Sequence, residues 1–312
     1  MKRGVVRAAM TQTRNAFPGM PATVDDLDAL RGGLEALRRA NVEHHVDLMR
    51  RAHAQGARLI CFGELFTGPY FAHDRRPFWF DLAEPALTGP TVARLAPVAR
   101  ELGMVVVAPL YEYDPRVDAR FNTAVVIDAD GAILGSYRKT HVPHGTNERG
   151  GFCEDFYFDR SDGGMVNDHP ANISKNKHFP VFETAAGRLG VSICYDRHFE
   201  GVMRTLAQNG AQIVFNPAVT FGRQSRRCWD LEFAVEAMRW NVYIGGSNRL
   251  GAEPPWTVDF FGRTGFTSPV GALPDESADP CLMIADLDLA AFGGGDGSGW
   301  DLARDRRPDI YD

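Results

Sequence analysis

The feature that most constrains this chain is a series of short, nearly continuous apolar runs at 59–62, 105–108, 190–194, 213–215 and 282–285. A strand with one wet face alternates apolar and polar residues, whereas an unbroken apolar run fits a strand covered on both faces. Segments of helical character separate the runs. Leu27, Leu30, Leu34, Leu37, Val42, Val46 and Met49 recur at helical spacing, with Gly32-Gly33 as an interruption and Gly56 as the stop. Thr23, ahead of Val24-Asp25-Asp26, approximates a capping box. Further helices are predicted at 91–102, ended by Gly103 and kinked at Pro97, at 199–208, ended by Asn209-Gly210, and at 225–240. Residues 5–10 and 242–246 read as strands, and 123–127 with 132–137 as a hairpin about Asp128-Ala129-Asp130-Gly131. Strands and helices alternate through most of the chain, which predicts an α/β sandwich with helices over its sheets. No linker composition divides it, so residues 1–312 are expected to form one domain.

Composition narrows the partners. Lys and Arg number 34 against 40 Asp and Glu, a net charge of −6, without the basic excess of a nucleic-acid binder. No apolar run reaches membrane-spanning length, so no membrane partner is expected. The N-terminal apolar stretch soon meets Arg7, which argues against a secretory leader. Five cysteines without a C-x-x-C pair predict neither a disulfide framework nor a Cys-rich zinc site, and point to a reducing, cytoplasmic home. Cys61, Cys228 and Cys281 read as inert core, and Cys153 as incidental in a polar loop. Residues 159–177 read as a surface loop, and 293–299 as a flexible glycine run lacking the Lys-Ser/Thr ending of a phosphate loop.

Three polar residues stand where buried strands end: Glu64, Lys139 and Cys194. Strand ends are where α/β sheets place their sites. Cys194 follows an apolar strand and precedes a helix, the placement of a nucleophile elbow. Glu64 reads as a general base or a surface carboxylate, and Lys139 as an oxyanion donor or a solvated charge. His141 and His144 make an H-x-x-H without a third ligand nearby, so no metal is assigned. His44 and His45 read as solvated or interfacial, and Tyr195 and Trp229 as pocket or core aromatics.

The segments Gly63-Glu64-Leu65-Phe66, Tyr137-Arg138-Lys139-Thr140-His141-Val142-Pro143-His144 and Ser192-Ile193-Cys194-Tyr195-Asp196-Arg197-His198 resemble the nitrilase superfamily of carbon–nitrogen hydrolases. Glu154-Asp155-Phe156-Tyr157-Phe158, the Phe179–Thr184, Gly210–Pro217 and Gly246–Arg249 stretches, and the closing Arg304–Tyr311 stretch are similar to further family segments, in order along nearly the whole chain. The resemblance implies a four-layer α-β-β-α sandwich, no metal or organic cofactor, a small-molecule substrate, and a homodimer or higher homo-oligomer. It implies Glu64 as general base, Lys139 as second triad member, Cys194 as nucleophile and Glu154 as auxiliary acid. Tyr195 would supply a backbone oxyanion donor. Arg197 would hold a substrate carboxylate in a two-pronged grip, the alternative being that it pairs within the fold; Arg249 would either support the site from behind or make a further carboxylate contact, with His144 and Asn216 near the substrate. On that basis the expected reaction is hydrolysis of an N-carbamoyl-β-alanine type substrate to amino acid, CO2 and ammonia. The alternative is an amidohydrolase of N-carbamoylputrescine or an aliphatic amide, and a non-catalytic binding protein is a third possibility. Compared with family members, the link at 159–178 is long and would act as a lid or an oligomer contact.

Overall fold

The computed structural model describes residues 4–165, 167–293, 299–300 and 302–310. The apolar runs form β1 (Val5–Thr11), β2 (Leu59–Cys61), β3 (Val105–Asp114), β4 (Ala119–Ile127) and β5 (Ile133–Arg138). A small hairpin, β6 (His144–Asn147) and β7 (Gly150–Cys153), follows. Then come β8 (Val181–Thr184), β9 (Gly187–Val191), β10 (Ile213–Ala218) and β11 (Tyr243–Asn248), a second hairpin of β12 (Leu250–Ala252) and β13 (Asp259–Phe261), and β14 (Gly265–Ser268), β15 (Gly271–Ala272) and β16 (Leu282–Asp288). The main helices are α1 (Leu34–Ala54), α2 (Pro90–Leu102), α3 (Glu200–Gln208) and α4 (Arg223–Trp240).

Two six-stranded sheets carry the fold, in the orders β16-β1-β2-β3-β4-β5 and β15-β14-β11-β10-β9-β8. The inner strands β1, β2 and β3 of one, and β9, β10 and β11 of the other, run parallel, with antiparallel strands outside them. Alternation of side chains across a strand sorts the residues into layers. Ala8, Met10, Val105 and Val107 meet Val191, Ile213 and Phe215 between the sheets. Their neighbours Ala9, Ile60, Val106 and Ala108 face Val46, Met49, Leu95 and Val98 of α1 and α2. Val202 and Leu206 of α3 and Phe233 and Ala237 of α4 cover the outer face of the second sheet. The architecture is therefore the expected α-β-β-α sandwich, and the unbroken apolar runs are its doubly covered strands.

Several local expectations change. The predicted first helix divides at Gly32-Gly33 into a 3-10 turn, Val24–Leu30, and α1. No capping box forms at Thr23, whose hydroxyl donates to the Asp26 carboxylate and accepts no backbone N–H. Gly103 ends α2 at φ +57°, a left-handed position that favours glycine. The polar loop assigned to Cys153 is strand β7, and its thiol is buried and donates to the Ala72 carbonyl. Cys61 is buried as expected, but Cys228 and Cys281 are only half-buried. His45 is neither solvated nor interfacial. It is buried against Phe62 and Phe66, and burial lowers its pKa to about 3. The long link is not a lid: none of its described residues lines the pocket. It runs along the edge strands, where Asn167 exchanges two hydrogen bonds with the Ser136 backbone and Asn172 bridges to Phe182. Residues 294–298 of the glycine run lie outside the described residues, as does Tyr311. Among the described residues, no helix is long and apolar enough to cross a membrane.

Candidate active site

Three strands deliver the key side chains just past their carboxyl ends. Glu64 follows β2, Lys139 follows β5 and Cys194 follows β9, so folding brings together residues up to 130 positions apart in sequence order. Lys139 Nζ donates to Glu64 Oε1 at 2.9 Å and to Glu154 Oε2 at 2.6 Å, and all three side chains are essentially sealed from solvent. An ammonium carries three donors, so one N–H remains beyond these two bonds. Glu64 is fixed at both oxygens. Asn122 Nδ2 donates to Oε1 at 2.6 Å, and the Val219 backbone N–H donates to Oε2 at 2.6 Å. Tyr70 Oη donates to Glu154 Oε1 at 2.9 Å.

Cys194 opens a 3-10 turn, Cys194–His198, with its own φ at +46°. A non-glycine residue avoids that region unless its surroundings force it, and such strain concentrates where a side chain must be presented. Asp196 supplies the force. Its carboxylate accepts from the Ile193 N–H, Tyr137 Oη, Thr140 Oγ1 and the His141 N–H, tying the cysteine turn to the strand exit that carries Lys139. Arg197 Nη1 donates to the Cys194 carbonyl at 2.8 Å, and Asn216 Nδ2 approaches the same oxygen at 3.4 Å.

Electrostatics follow from burial and proximity. Burial, with the Glu64 charge, pushes the Cys194 thiol up to about 12, against the pull of Lys139 and Arg197. Burial also raises Glu154, to about 7, assisted by Glu64 and opposed by Lys139. Burial alone would lower Lys139, but Glu154 and Glu64 outweigh it and hold the ammonium charged. The thiol is therefore neutral at physiological pH, and a base must take its proton when it reacts.

A cavity of about 170 Å³ opens onto this group, lined by Cys194, Glu154, Tyr70, Phe152, Phe221 and the hairpin residues Asn147 and Glu148, among others. Glu64 and Lys139 lie behind its wall. Tyr195, about a third exposed, stands at the rim. The other expected substrate contacts are placed differently. His144 points to the surface and pairs with Asp155 at 2.9 Å. Asn216 lies beneath the cysteine turn, bonded to Ser192 as well as Cys194. Arg249 is sealed inside, paired with Glu253 and donating to the carbonyls of Glu64, Leu65 and Gly68, so it shapes the glutamate loop rather than touching substrate. Trp229 lies under the Arg197 guanidinium, 5.3 Å from ring centre to Cζ, rather than in the cavity wall. Arg197 reaches the cavity, but its Nη groups are engaged by the Cys194 carbonyl and Thr220 Oγ1, with Glu232 3.4 Å from Nε. Two of its five N–H donors are thus committed to the fold.

Sequence reasoning missed Tyr70, Asn122, Asp196 and Glu148. Asp196 sits inside the Ser192–His198 segment, two residues past Cys194, and that place is its only signal, whereas Asn122 and Tyr70 carry none. Replacing Arg197 by methionine should lower kcat about 10- to 100-fold, the worth of a hydrogen bond from a charged group, equally for anionic and uncharged ureas. A loss confined to anionic substrates would return Arg197 to the role of carboxylate clamp.

A sealed acid–amine–acid cluster stands beside a strained cysteine corner that lines the cavity, on an α-β-β-α sandwich. The signature of the carbon–nitrogen hydrolases matches residues 31–293, and the chain belongs to that family, within the nitrilase superfamily. It is 34% identical over 285 residues to N-carbamoylputrescine amidase of Arabidopsis thaliana, covering 87% of this chain and 88% of the relative. It is 31% identical over 307 residues to β-ureidopropionase of the same plant, covering 91% of this chain and 67% of the relative. The crystal structure of a carbon–nitrogen hydrolase from Helicobacter pylori G27 superimposes with a TM-score of 0.78 at 24% identity, covering 98% and 97% of the two chains. The protein is thus a hydrolase of carbon–nitrogen bonds.

Proposed function

We propose that this hydrolase cleaves an N-carbamoyl amine whose far end is a cation, the N-carbamoylputrescine type, in preference to an N-carbamoyl-β-amino acid. The observation that carries this reading is the charge of the cavity. Two carboxylates line it, Glu154 within and Glu148 at the mouth, where one oxygen accepts the Arg223 N–H, against one guanidinium, Arg197, which bonds the Cys194 carbonyl and Thr220. The similarity to N-carbamoylputrescine amidases supports the same choice.

The chemistry then follows from the geometry. Cys194 Sγ adds to the urea carbon while Glu64 takes the thiol proton. The remaining N–H of Lys139 and the backbone N–H of Tyr195 receive the developing oxyanion. The proton passes from Glu64 to the departing nitrogen, leaving a carbonyl-sulfur ester. Water that gives a proton to Glu64 cleaves that ester and frees the thiol, and the resulting carbamic acid or carbamate yields CO2. Glu154 orients Lys139 and is the carboxyl of the pair that faces the cavity.

Parallel assays of N-carbamoylputrescine, N-carbamoyl-β-alanine and an uncharged N-carbamoyl alkylamine test the assignment. The cationic compound should show the highest kcat/KM. Glu148→Gln should raise its KM several-fold while leaving the uncharged compound unchanged. Preference for N-carbamoyl-β-alanine, insensitive to Glu148, would overturn the reading.

A further inference from the structure

A second group of reactive side chains stands beside the cavity and has no part in the chemistry above. His198 is the last residue of the cysteine turn and lines the cavity rim. Cys228 and Glu232 lie one turn apart on α4, on the same face. One ligand atom from each of the three lies within 4.8 Å of the other two. His198 Nδ1 is 2.7 Å from Glu232 Oε1. The other carboxylate oxygen, Oε2, is shielded from solvent, makes no hydrogen bond, and faces Arg197 Nε at 3.4 Å. Cys228 Sγ accepts a long contact, 3.6 Å, from Gln224 Nε2, and its thiol interacts with the Glu232 carboxylate.

We propose that His198, Cys228 and Glu232 form a binding site for a divalent cation of the Zn²⁺ class, and that filling it inhibits the enzyme. An imidazole nitrogen, a thiolate and a carboxylate suit a tetrahedral, borderline-soft ion with water as fourth ligand. Bond lengths of about 2.0–2.2 Å from such an ion require Nδ1 and Oε1 to stand about 3.3 Å apart, so roughly half an ångström of movement admits it. On binding, Cys228 releases its thiol proton to solvent, and His198 gives up the Nδ1 proton it shares with Glu232, so that Nδ1 ligates while Nε2 carries the ring's proton. The two anionic ligands neutralise the ion, which limits its repulsion of the nearby Arg197.

Inhibition follows from what the ligands already hold. Glu232 is the counter-charge beside Arg197, and Arg197 carries the Cys194 carbonyl. His198 packs edge-on against Tyr195, with ring centres 5.3 Å apart. An ion that fixes Glu232 and His198 in new positions disturbs both supports of the cysteine turn, so kcat should fall more than KM rises.

Cys194 is itself a thiol, so the experiment separates the two cysteines. Cobalt(II) titrated into the full-length Cys194→Ala protein should give a thiolate-to-cobalt charge-transfer band that saturates at one equivalent. That band should vanish in Cys194→Ala/Cys228→Ser and, if the serine variant folds poorly, in Cys194→Ala/Cys228→Ala. With Cys194 intact, Zn²⁺ should inhibit reversibly on chelator addition. Cys228→Ser should keep its basal activity and need at least tenfold more Zn²⁺ for the same inhibition. Absence of the cobalt band in Cys194→Ala, or undiminished zinc sensitivity in Cys228→Ser, would overturn the proposal. The spectroscopic arm needs no turnover, so its failure is distinct from failure of the substrate reading on which the inhibition arm rests.

Discussion

Replacing Cys194 by alanine is expected to lower ammonia release from any carbamoyl or amide substrate by about a million-fold, the scale seen when a covalent nucleophile is removed. The fold should survive, because alanine fits the same turn and the shorter bonds that hold it, from the Ile193 N–H to Asp196 and from Arg197 to the Cys194 carbonyl, are kept; only long sulfur contacts to Arg197 and the Val219 carbonyl are lost. Glu64→Gln should cost about 10²- to 10⁴-fold, the usual worth of a general base. The reason a base is needed lies in the thiol's surroundings. Burial and the Glu64 charge push it up to about 12, so it does not rest as a ready-made thiolate. Sulfur–carbon bond formation and proton transfer to Glu64 must therefore be concerted or closely coupled. The two substitutions act on one step, so Cys194→Ala/Glu64→Gln should be no slower than Cys194→Ala alone. Turnover by Cys194→Ala at even a thousandth of the parent rate would remove the cysteine from the mechanism. Ammonia release and circular dichroism, measured on all three variants, decide the matter.

The layers of this protein were legible because both faces of each central strand are covered, which leaves a mark in sequence as unbroken apolar runs. The ends of those runs exposed Glu64, Lys139 and Cys194 as polar residues in expensive places, and the structure brings them together. What could not be read is the direction in which a buried guanidinium points. In sequence Arg197 reads as a carboxylate contact, and Arg249 as either such a contact or a support behind the site, because an arginine near a site suits either task. In the fold Arg249 answers three backbone carbonyls around Glu64, and Arg197 answers the carbonyl of Cys194. Those needs arise from orphaned backbone acceptors at strained turns, and backbone acceptors leave no trace in residue type. The Val219 N–H that fixes Glu64 was invisible for the same reason. Glu148 was missed because its importance depends on the β6–β7 hairpin folding back toward α4, where it accepts the Arg223 N–H at 2.6 Å.

Removing the charge of Lys139 should abolish turnover and also threaten the fold, and the two effects can be separated. Lys139→Met leaves Glu64 and Glu154 buried beside each other without their shared cation. Breaking a buried pair by deleting one partner costs about 3–5 kcal/mol, a large part of the 5–15 kcal/mol that holds a typical domain together. The pH dependence carries the sign. With the lysine gone, burial raises Glu154 further above its unfolded value near 4.3. A raised carboxyl pKa means the folded protein binds more protons, so stability is greatest at low pH and is lost as pH rises through that window. In the parent protein Lys139 opposes this trend, although Glu154 still stands raised, to about 7. Thermal melts of Lys139→Met should therefore fall between about pH 5 and pH 8 more steeply than those of the parent. Adding Glu154→Gln to Lys139→Met removes one of the stranded charges, and should restore much of the melting temperature without restoring ammonia release. If the double variant melts no higher than the single one, the carboxylates are not what the lysine offsets, and the sealed cluster must be held by something other than its charges.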